Sequence, residues 1–345
     1  MSVKTKEWIL TGTSGLDDLK TRVINTPLLG DFDVLVKMKA LSLNHRDVVV
    51  ALGLYPLPWV PDVVVGSDGA GKVIQVGDKV TEFKKGDRVA TTFYQDHPSG
   101  SLSIAAGQSA LGSLKDGAFR QYAVIPEGGL VHVPESLNWR EAASLTCAAV
   151  TAWNALFGDR KTIESDMVQI QGTGGVSLFA LQFAKAVGAT VIALTSTDEK
   201  EKLLRDLGAD EVINYTTNPN WGQKVKELSA KGEGVDKVLD VVGGKSLLQS
   251  IKSVKLGGVI TVIGVLDGLN PVDWPSTLEI LASMSTVRAI ACGSKAQFDE
   301  LVKFIDANTI KPVLDKKVFG FDNLKEAYGY LLNKKHIGKV IVNVE

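Results

Sequence analysis

Cysteine is scarce: Cys147 and Cys292 are the only two in 345 residues. Two thiols cannot build a disulfide scaffold or a four-thiolate zinc module, and such poverty fits a reducing compartment. Charge bias is missing too, with 38 Lys and Arg against 39 Asp and Glu. A net charge of −1 leaves no basic footprint for a nucleic acid. Long apolar runs are absent, the longest being strand-sized, whereas a membrane span needs about 20 apolar residues. The opening MSVKTKEWIL has no signal-peptide core, and the closing KVIVNVE carries no lipidation signal. Repeats and low-complexity tracts are absent as well. These absences predict a soluble, cytoplasmic protein with neither membrane nor nucleic acid as a partner.

What is present is ordinary globular material, 45% hydrophobic and 22% charged, at a length that suits two domains. The first ~135 residues read as short strands between turn pairs, at 33–43, 69–80 (a strand, a Gly-Asp turn and a second strand), 86–94, 118–126 and 130–134. Residues 95–117 are rich in Ser and Gly with little periodicity and read as a long loop.

The texture changes after Pro134. Residues 138–157 have helical apolar spacing. Strands at 167–172, 190–194, 210–214, 235–242, 257–265 and 286–291 then alternate with helices at 175–188, 198–208, 220–231 and 245–254. Gly188 suits a helix C′ position and Asp198 a helix cap. A helix at 298–308 follows, and the tail returns to β texture at 318–321 and 338–344. Such βαβ alternation predicts a doubly wound parallel sheet, inserted into a β-rich domain. The expected borders are 1–145, 146–293 and 294–345.

The segment VQIQGTGGVS carries Gly172 and Gly174 in the first two places of a Gly-x-Gly-x-x-Gly turn, with Ser177 in the third. The turn follows a strand and opens a helix, so Thr173, Gly174, Gly175 and Val176 offer backbone N–H groups to a pyrophosphate. The ribose-selecting position about 20 residues on falls at Thr195. No acid stands there; Ser196, Thr197 and Lys200 follow. Hydroxyls beside a cation suit the 2′-phosphate of NADPH, although Lys200 also reads as a solvated helix face. Gly243, Gly264, Val265 and Leu266 follow strands whose C-terminal ends are where ligands bind in such sheets. Cys292 and Gly293 follow the last strand and are candidates for the carboxamide side of the cofactor.

The chain resembles the medium-chain dehydrogenase/reductase superfamily. The resemblance runs through GSDGAGKVIQVGDKVTEFKKGDRV, DGAFRQYAVIPEGGLVHVPESLNWREAASL, TAWNAL, QGTGGVSLFALQFAKAVGATVIA, LGADEVINY and HIGKVIV, in that order from about residue 30 to the end. It implies a GroES-like β-rich catalytic domain with a Rossmann cofactor domain, and is nearest to the zinc-free quinone and enone reductase branch, with zinc-type alcohol dehydrogenase-like proteins also similar. The zinc-ligand positions of zinc-dependent members fall at Asn44, Ser67 and Cys147, so no metal is expected.

The resemblance puts Asn44 and Thr151 beside the nicotinamide, Tyr215 by the adenosine ribose, and Lys339 facing the cofactor. Asn44 also reads as a turn residue and Thr151 as a helix-interior residue. His45 is a candidate proton donor or a structural histidine. Asp47 either orients a neighbour or caps a helix over 47–52. Tyr55 and Tyr94 are candidates for lining the substrate site, or packing residues. An apolar edge strand at 286–291 predicts a homodimer joined sheet to sheet, as in similar dehydrogenases.

Without a Lewis acid, a quinone or an α,β-unsaturated carbonyl is an easier hydride acceptor than an alcohol is a donor. The expected activity is NADPH-dependent reduction of such a substrate, including enoyl reduction of the polyketide type. The alternatives are an alcohol or aldehyde dehydrogenase and a non-catalytic, crystallin-like or regulatory NADPH-binding protein.

Overall fold

A computed structural model describes residues 2–344 apart from 57, 267 and 269. It divides into two compact units, residues 1–150 with 292–345, and residues 151–291. These borders lie within five residues of the 145/146 and 293/294 expected from the sequence.

The first unit is organised by the strand Asp33–Leu43. It pairs antiparallel with Asp68–Val76, Tyr122–Pro126 and the C-terminal Lys339–Asn343. Neighbours on both sides explain why this strand is buried along most of its length. Val340 lies opposite Leu43, so one step further along the same register brings Lys339 opposite Asn44. The core beneath packs Met38, Leu41, Phe119, Tyr328 and Val342. Gly66 has φ +75°, and a Cβ there would lie 2.2 Å from the Phe119 ring. Only glycine lets the Gly66-Ser67-Asp68 turn pass so close.

Three expectations change here. Residues 69–80 make one strand, Asp68–Val76, and not two. The 95–117 segment contains the short helix Ile104–Gly107, and its return leg is tied down by Gly117 N–H donating to Val64 O at 2.6 Å. The helix expected over 138–157 is α-helical at Trp139–Ala143, a π turn at Leu145–Ala149, and α-helical again at Val150–Phe157. Two polar pulls accompany the π turn: the Thr146 hydroxyl donates to Thr91 O at 2.8 Å, and the Cys147 N–H is drawn to Asp68 at 3.4 Å. A π turn frees backbone groups for such uses.

The second unit is a six-stranded, all-parallel sheet. Its spatial order is Glu211–Asn214, Thr190–Thr195, Met167–Gln171, Val235–Asp240, Val254–Val262, Thr286–Ala289. This 3-2-1-4-5-6 order is that of a dinucleotide-binding sheet. Gly188 ends the helix Gly175–Ala186 with φ +84°, as a C′ glycine does. Asp198 is not the cap of its helix: Thr197 holds that position, and the Asp198 carboxylate accepts from Asn214 Nδ2 at 3.0 Å. The edge strand is four residues long, shorter than 286–291, and among the described residues it pairs on one side only. Among the described residues no helix is long and apolar enough to cross a membrane.

Candidate functional site

The phosphate turn is built as its glycines require. Gly172 has φ +77°, and a Cβ added at Gly172 or Gly174 would meet nothing within 4 Å, so the space above the turn is open. Gly174 caps the twelve-residue helix Gly175–Ala186. The first N–H groups of any helix have no carbonyl one turn back, which leaves those of this helix for an anion. Ser177 takes the place of the third glycine, buried, with its hydroxyl donating to Gln171 O at 2.6 Å. A small residue satisfied by the preceding strand keeps helix and strand close. These residues fit a dinucleotide; Thr173, Gly174, Gly175 and Val176 would hold its pyrophosphate.

The other candidates of this unit fall along the same C-terminal rim of the parallel strands. Buried Asp240 accepts from Val242 N–H at 3.0 Å, Gly243 N–H at 2.8 Å and Ser250 Oγ at 2.7 Å. Gln171 binds Val241 N–H through Oε1 and the Ser246 and Ser250 hydroxyls through Nε2. The network fixes the loop before Gly243. Gly264 lies against it, where a Cβ would come within 2.2 Å of Val241 O. Val265 and Leu266 beyond it are exposed, as is Tyr215, whose N–H donates to Thr195 O.

Thr195 needs correcting. It is fully buried and its hydroxyl turns to Thr197 O at 3.4 Å, so it presents nothing to a ribose. Ser196, Thr197 and Lys200 are the half-exposed residues at this strand end. Thr151 is also turned inward, 2% exposed, with its hydroxyl donating to Ala291 O at 3.4 Å.

In the first unit the register described above brings a buried ammonium to the end of the central strand. Lys339 Nζ donates to Leu43 O at 2.8 Å, Asn44 Oδ1 at 2.5 Å and Asp68 Oδ2 at 3.2 Å. Ser67 Oγ donates to Asp68 Oδ1 at 2.7 Å, and Asn44 Nδ2 approaches Ser67 Oγ at 3.5 Å. Lys339 is 3% exposed and Asp68 not at all, so charge and countercharge are buried together, as they must be. Lys339, expected to face the cofactor, thus spends its three protons inside its own unit.

Asn44 caps the helix His45–Ala51, and Asp47 closes the first turn by accepting the Asn44 N–H at 2.8 Å. Asp47 therefore has the capping role. Burial pushes its carboxyl up to about 6, against the pull of Arg46 and the Asn44 N–H. His45 is exposed at the start of the same helix, and desolvation with the Lys334 charge holds its imidazole below the ordinary value.

Arg46 and Asp68 are functional candidates that sequence reasoning missed. Arg46 donates from Nη2 to Ser113 Oγ at 2.6 Å and reaches Asp47 from Nη1 at 3.5 Å. Its guanidinium lies 4.8 Å from the Phe93 ring centre and 5.5 Å from that of Tyr55. Burial opposes its charge, but Asp47 and Tyr55 outweigh that, so it stays a cation. A charged residue beside Asn44 in a first helical turn was the available signal; for Asp68 it was an acid next to a family ligand position. Tyr55 is half-buried; Tyr94 is buried, and desolvation raises its phenol well above the ordinary value. Cys292 is buried with Sγ 3.5 Å from Thr146 O, and a Cβ at Gly293 would press on Gln297 and Val150.

A catalytic zinc can be tested against these groups. Zinc takes thiolate, imidazole or carboxylate ligands. Asn44 and Ser67 are neutral oxygen donors. Cys147 is the one thiol of the three positions, and a catalytic zinc needs three protein ligands. A fixed ammonium already stands on Asn44 and Asp68, where it would repel a dication. The residues do not fit a zinc ion. Among the described residues no group of three His, Cys, Asp or Glu is placed to hold a metal.

Comparison with known proteins places both units in a family. The family model for the alcohol dehydrogenase GroES-like domain matches residues 30–135, and that for zinc-binding dehydrogenase matches 175–307. A zinc-type alcohol dehydrogenase-like protein of Schizosaccharomyces pombe is 44% identical over 337 residues, covering 96% of this chain and 97% of its own. The NADPH-dependent alkenal/one oxidoreductase of Arabidopsis thaliana chloroplasts is 30% identical, covering 98% of this chain and 79% of its own. A crystal structure from Sinorhizobium meliloti 1021, assigned as an alcohol dehydrogenase, superposes with a TM-score of 0.90 at 37% identity, covering 99% of both chains. The β-rich unit is GroES-like, the parallel unit is Rossmann-like, and the chain belongs to the medium-chain dehydrogenase/reductase superfamily.

Proposed function

We propose that this oxidoreductase reduces quinones or α,β-unsaturated carbonyl compounds with NADPH, and does so without zinc. The observation that carries the reading is the Asn44 cluster: an amide on an ammonium support, at positions where zinc-dependent relatives hold a metal. When bound, the reduced nicotinamide supplies a hydride. Alcohol oxidation needs a stabilised alkoxide, for which this cluster has no Lewis acid. A quinone or enone places negative charge on an oxygen that a hydrogen-bond donor can hold. Asn44 is that donor, and the Arg46 cation close by in the same helical turn favours the same charge. Tyr94 keeps its phenolic proton at neutral pH.

The name of the Arabidopsis relative supports both the substrate class and the cofactor. NADPH is supported further by Ser196, Thr197 and Lys200, with Asp198 engaged by Asn214. The experiment is NADPH and NADH oxidation with quinones, enones, aldehydes and alcohols, measured with and without a chelator. The names of the fission-yeast and Sinorhizobium relatives favour a second reading, alcohol dehydrogenation, which the same panel separates. Two free thiols fit a reducing compartment such as the cytoplasm.

A homodimer through the Thr286–Ala289 edge belongs to the same proposal. Leu278, Leu281 and Met284, immediately before that strand, are each at least 70% exposed. An unpaired edge with adjoining apolar side chains suits a second copy of the chain.

A further inference from the structure

We infer that Lys339 is a positioning residue: its buried ammonium fixes which way round the Asn44 amide sits, so that Asn44 offers a substrate oxygen hydrogen-bond donors. The inference rests on the function proposed above and names the device that makes Asn44 serve it.

An asparagine amide has an acceptor on one side and two donors on the other, and a half-turn exchanges them. A neutral neighbour such as a hydroxyl tolerates either orientation; an ammonium does not. Lys339 has three donors and no acceptor. Its three partners are Leu43 O, Asn44 Oδ1 and Asp68 Oδ2, with Asn44 the shortest at 2.5 Å. A flipped amide would set NH2 against NH3+, and at 3% exposure water cannot readily supply the lost acceptor. The ammonium itself cannot swing away. Asp68 holds it and is in turn held by the Ser67 hydroxyl at 2.7 Å and the Cys147 N–H at 3.4 Å.

The consequence is one of sign. Asn44 Nδ2 carries two protons, and Ser67 Oγ at 3.5 Å is its one hydrogen-bond partner among the described residues. The second proton has no partner among the described residues, and at 9% exposure Asn44 is the least enclosed member of the cluster with Lys339, Ser67 and Asp68. Pulling on Oδ1 with a cation also polarises the amide and strengthens Nδ2 as a donor. Without Lys339 the side chain keeps only the neutral Asp47 N–H of the capping box as its donor; an amide that then turns its oxygen toward the substrate would repel the enolate or phenolate oxygen as charge develops. The effect belongs to the transition state and falls on kcat more than on KM.

The test is a double-mutant cycle on the full-length protein, with Lys339→Met, Asn44→Ala and both together. The readouts are kcat and KM for a quinone and an enone, Kd for NADPH, and the thermal midpoint. Either single change is expected to lower kcat by roughly 10²-fold, the scale of losing one oxyanion donor. The double variant is expected to match Asn44→Ala to about twofold, because Lys339 acts through that amide. NADPH affinity should stay within about twofold. Multiplying losses, or a Lys339→Met effect confined to NADPH affinity, overturn the inference. Should Lys339→Met fail to fold, Asn44→Asp decides: it keeps a partner for the ammonium but has no N–H to donate. A loss of roughly 10²-fold in kcat is expected there, and near wild-type kcat overturns the inference. If the wild type reduces no quinone or enone, the functional reading fails by itself. The Asn44 side-chain amide resonance then decides the positioning: it moves in Lys339→Met if the contact orients it, and stays if it does not.

Discussion

Asp47 shows how one buried group converts position into pH dependence. Burial raises its carboxyl from 3.8 to about 6, so the folded protein binds that proton more tightly than the unfolded chain does. The stabilisation this provides is fully present below the unfolded value and is lost as pH rises through 6. Asp47→Asn keeps an acceptor for the Asn44 N–H and removes the titration. The stability of wild type relative to this variant should therefore fall by about 2–3 kcal/mol between pH 4 and 7 in denaturant unfolding. A difference that stays flat with pH would show that Asp47 is not held this way. At this scale the sequence was partly legible. Asn44, Ser67 and Cys147 could be picked out because they sit in short motifs. The partner that gives Asn44 its orientation lies 295 residues away, and only the pairing of the last strand with the central one brings it there.

Among elements, the parallel strands and their helices were the most legible, because each carries its own apolar period and turn glycines. Thr195 was misjudged for a reason strands make general. Counting residues finds a position but not a face, and successive side chains point to opposite sides. Thr195 points inward; Ser196 is the next residue and half-exposed. The π turn at Leu145–Ala149 was not legible, since it is accompanied by contacts to Thr91 and Asp68 from distant strands. The corrected strand end makes its own prediction. Ser196→Asp should weaken NADPH far more than NADH, by charge repulsion of the 2′-phosphate. Lys200→Ala should cost NADPH alone about one to two decades of affinity, the equivalent of roughly 1.5–3 kcal/mol. Equal losses for both cofactors, read as Kd by titration, would remove residues 196–200 from the selecting role.

At the scale of the whole molecule, two units of different texture share one chain, and the second is inserted into the first. That organisation was legible because the composition changes and then returns. The free edge was legible as a strand, but its apolar surroundings at Leu278, Leu281 and Met284 emerge only with the fold. A variant with both Leu278→Glu and Leu281→Glu should keep its fold, since these side chains are exposed in the single chain. The wild type is expected to sediment as a dimer and this variant as a monomer. An unchanged mass would place any dimer contact elsewhere.

The proposed chemistry sets an activated carbonyl system against an amide held by an ammonium, with no metal. It is tested most directly by steady-state turnover of the dialysed, chelator-treated protein with NADPH, against quinones and enones in one arm and primary alcohols with NADP+ in the other. Quinone or enone reduction is expected to be unchanged by chelation, with no alcohol oxidation whether or not zinc is added back. Alcohol oxidation that disappears with the chelator and returns with stoichiometric zinc would contradict it.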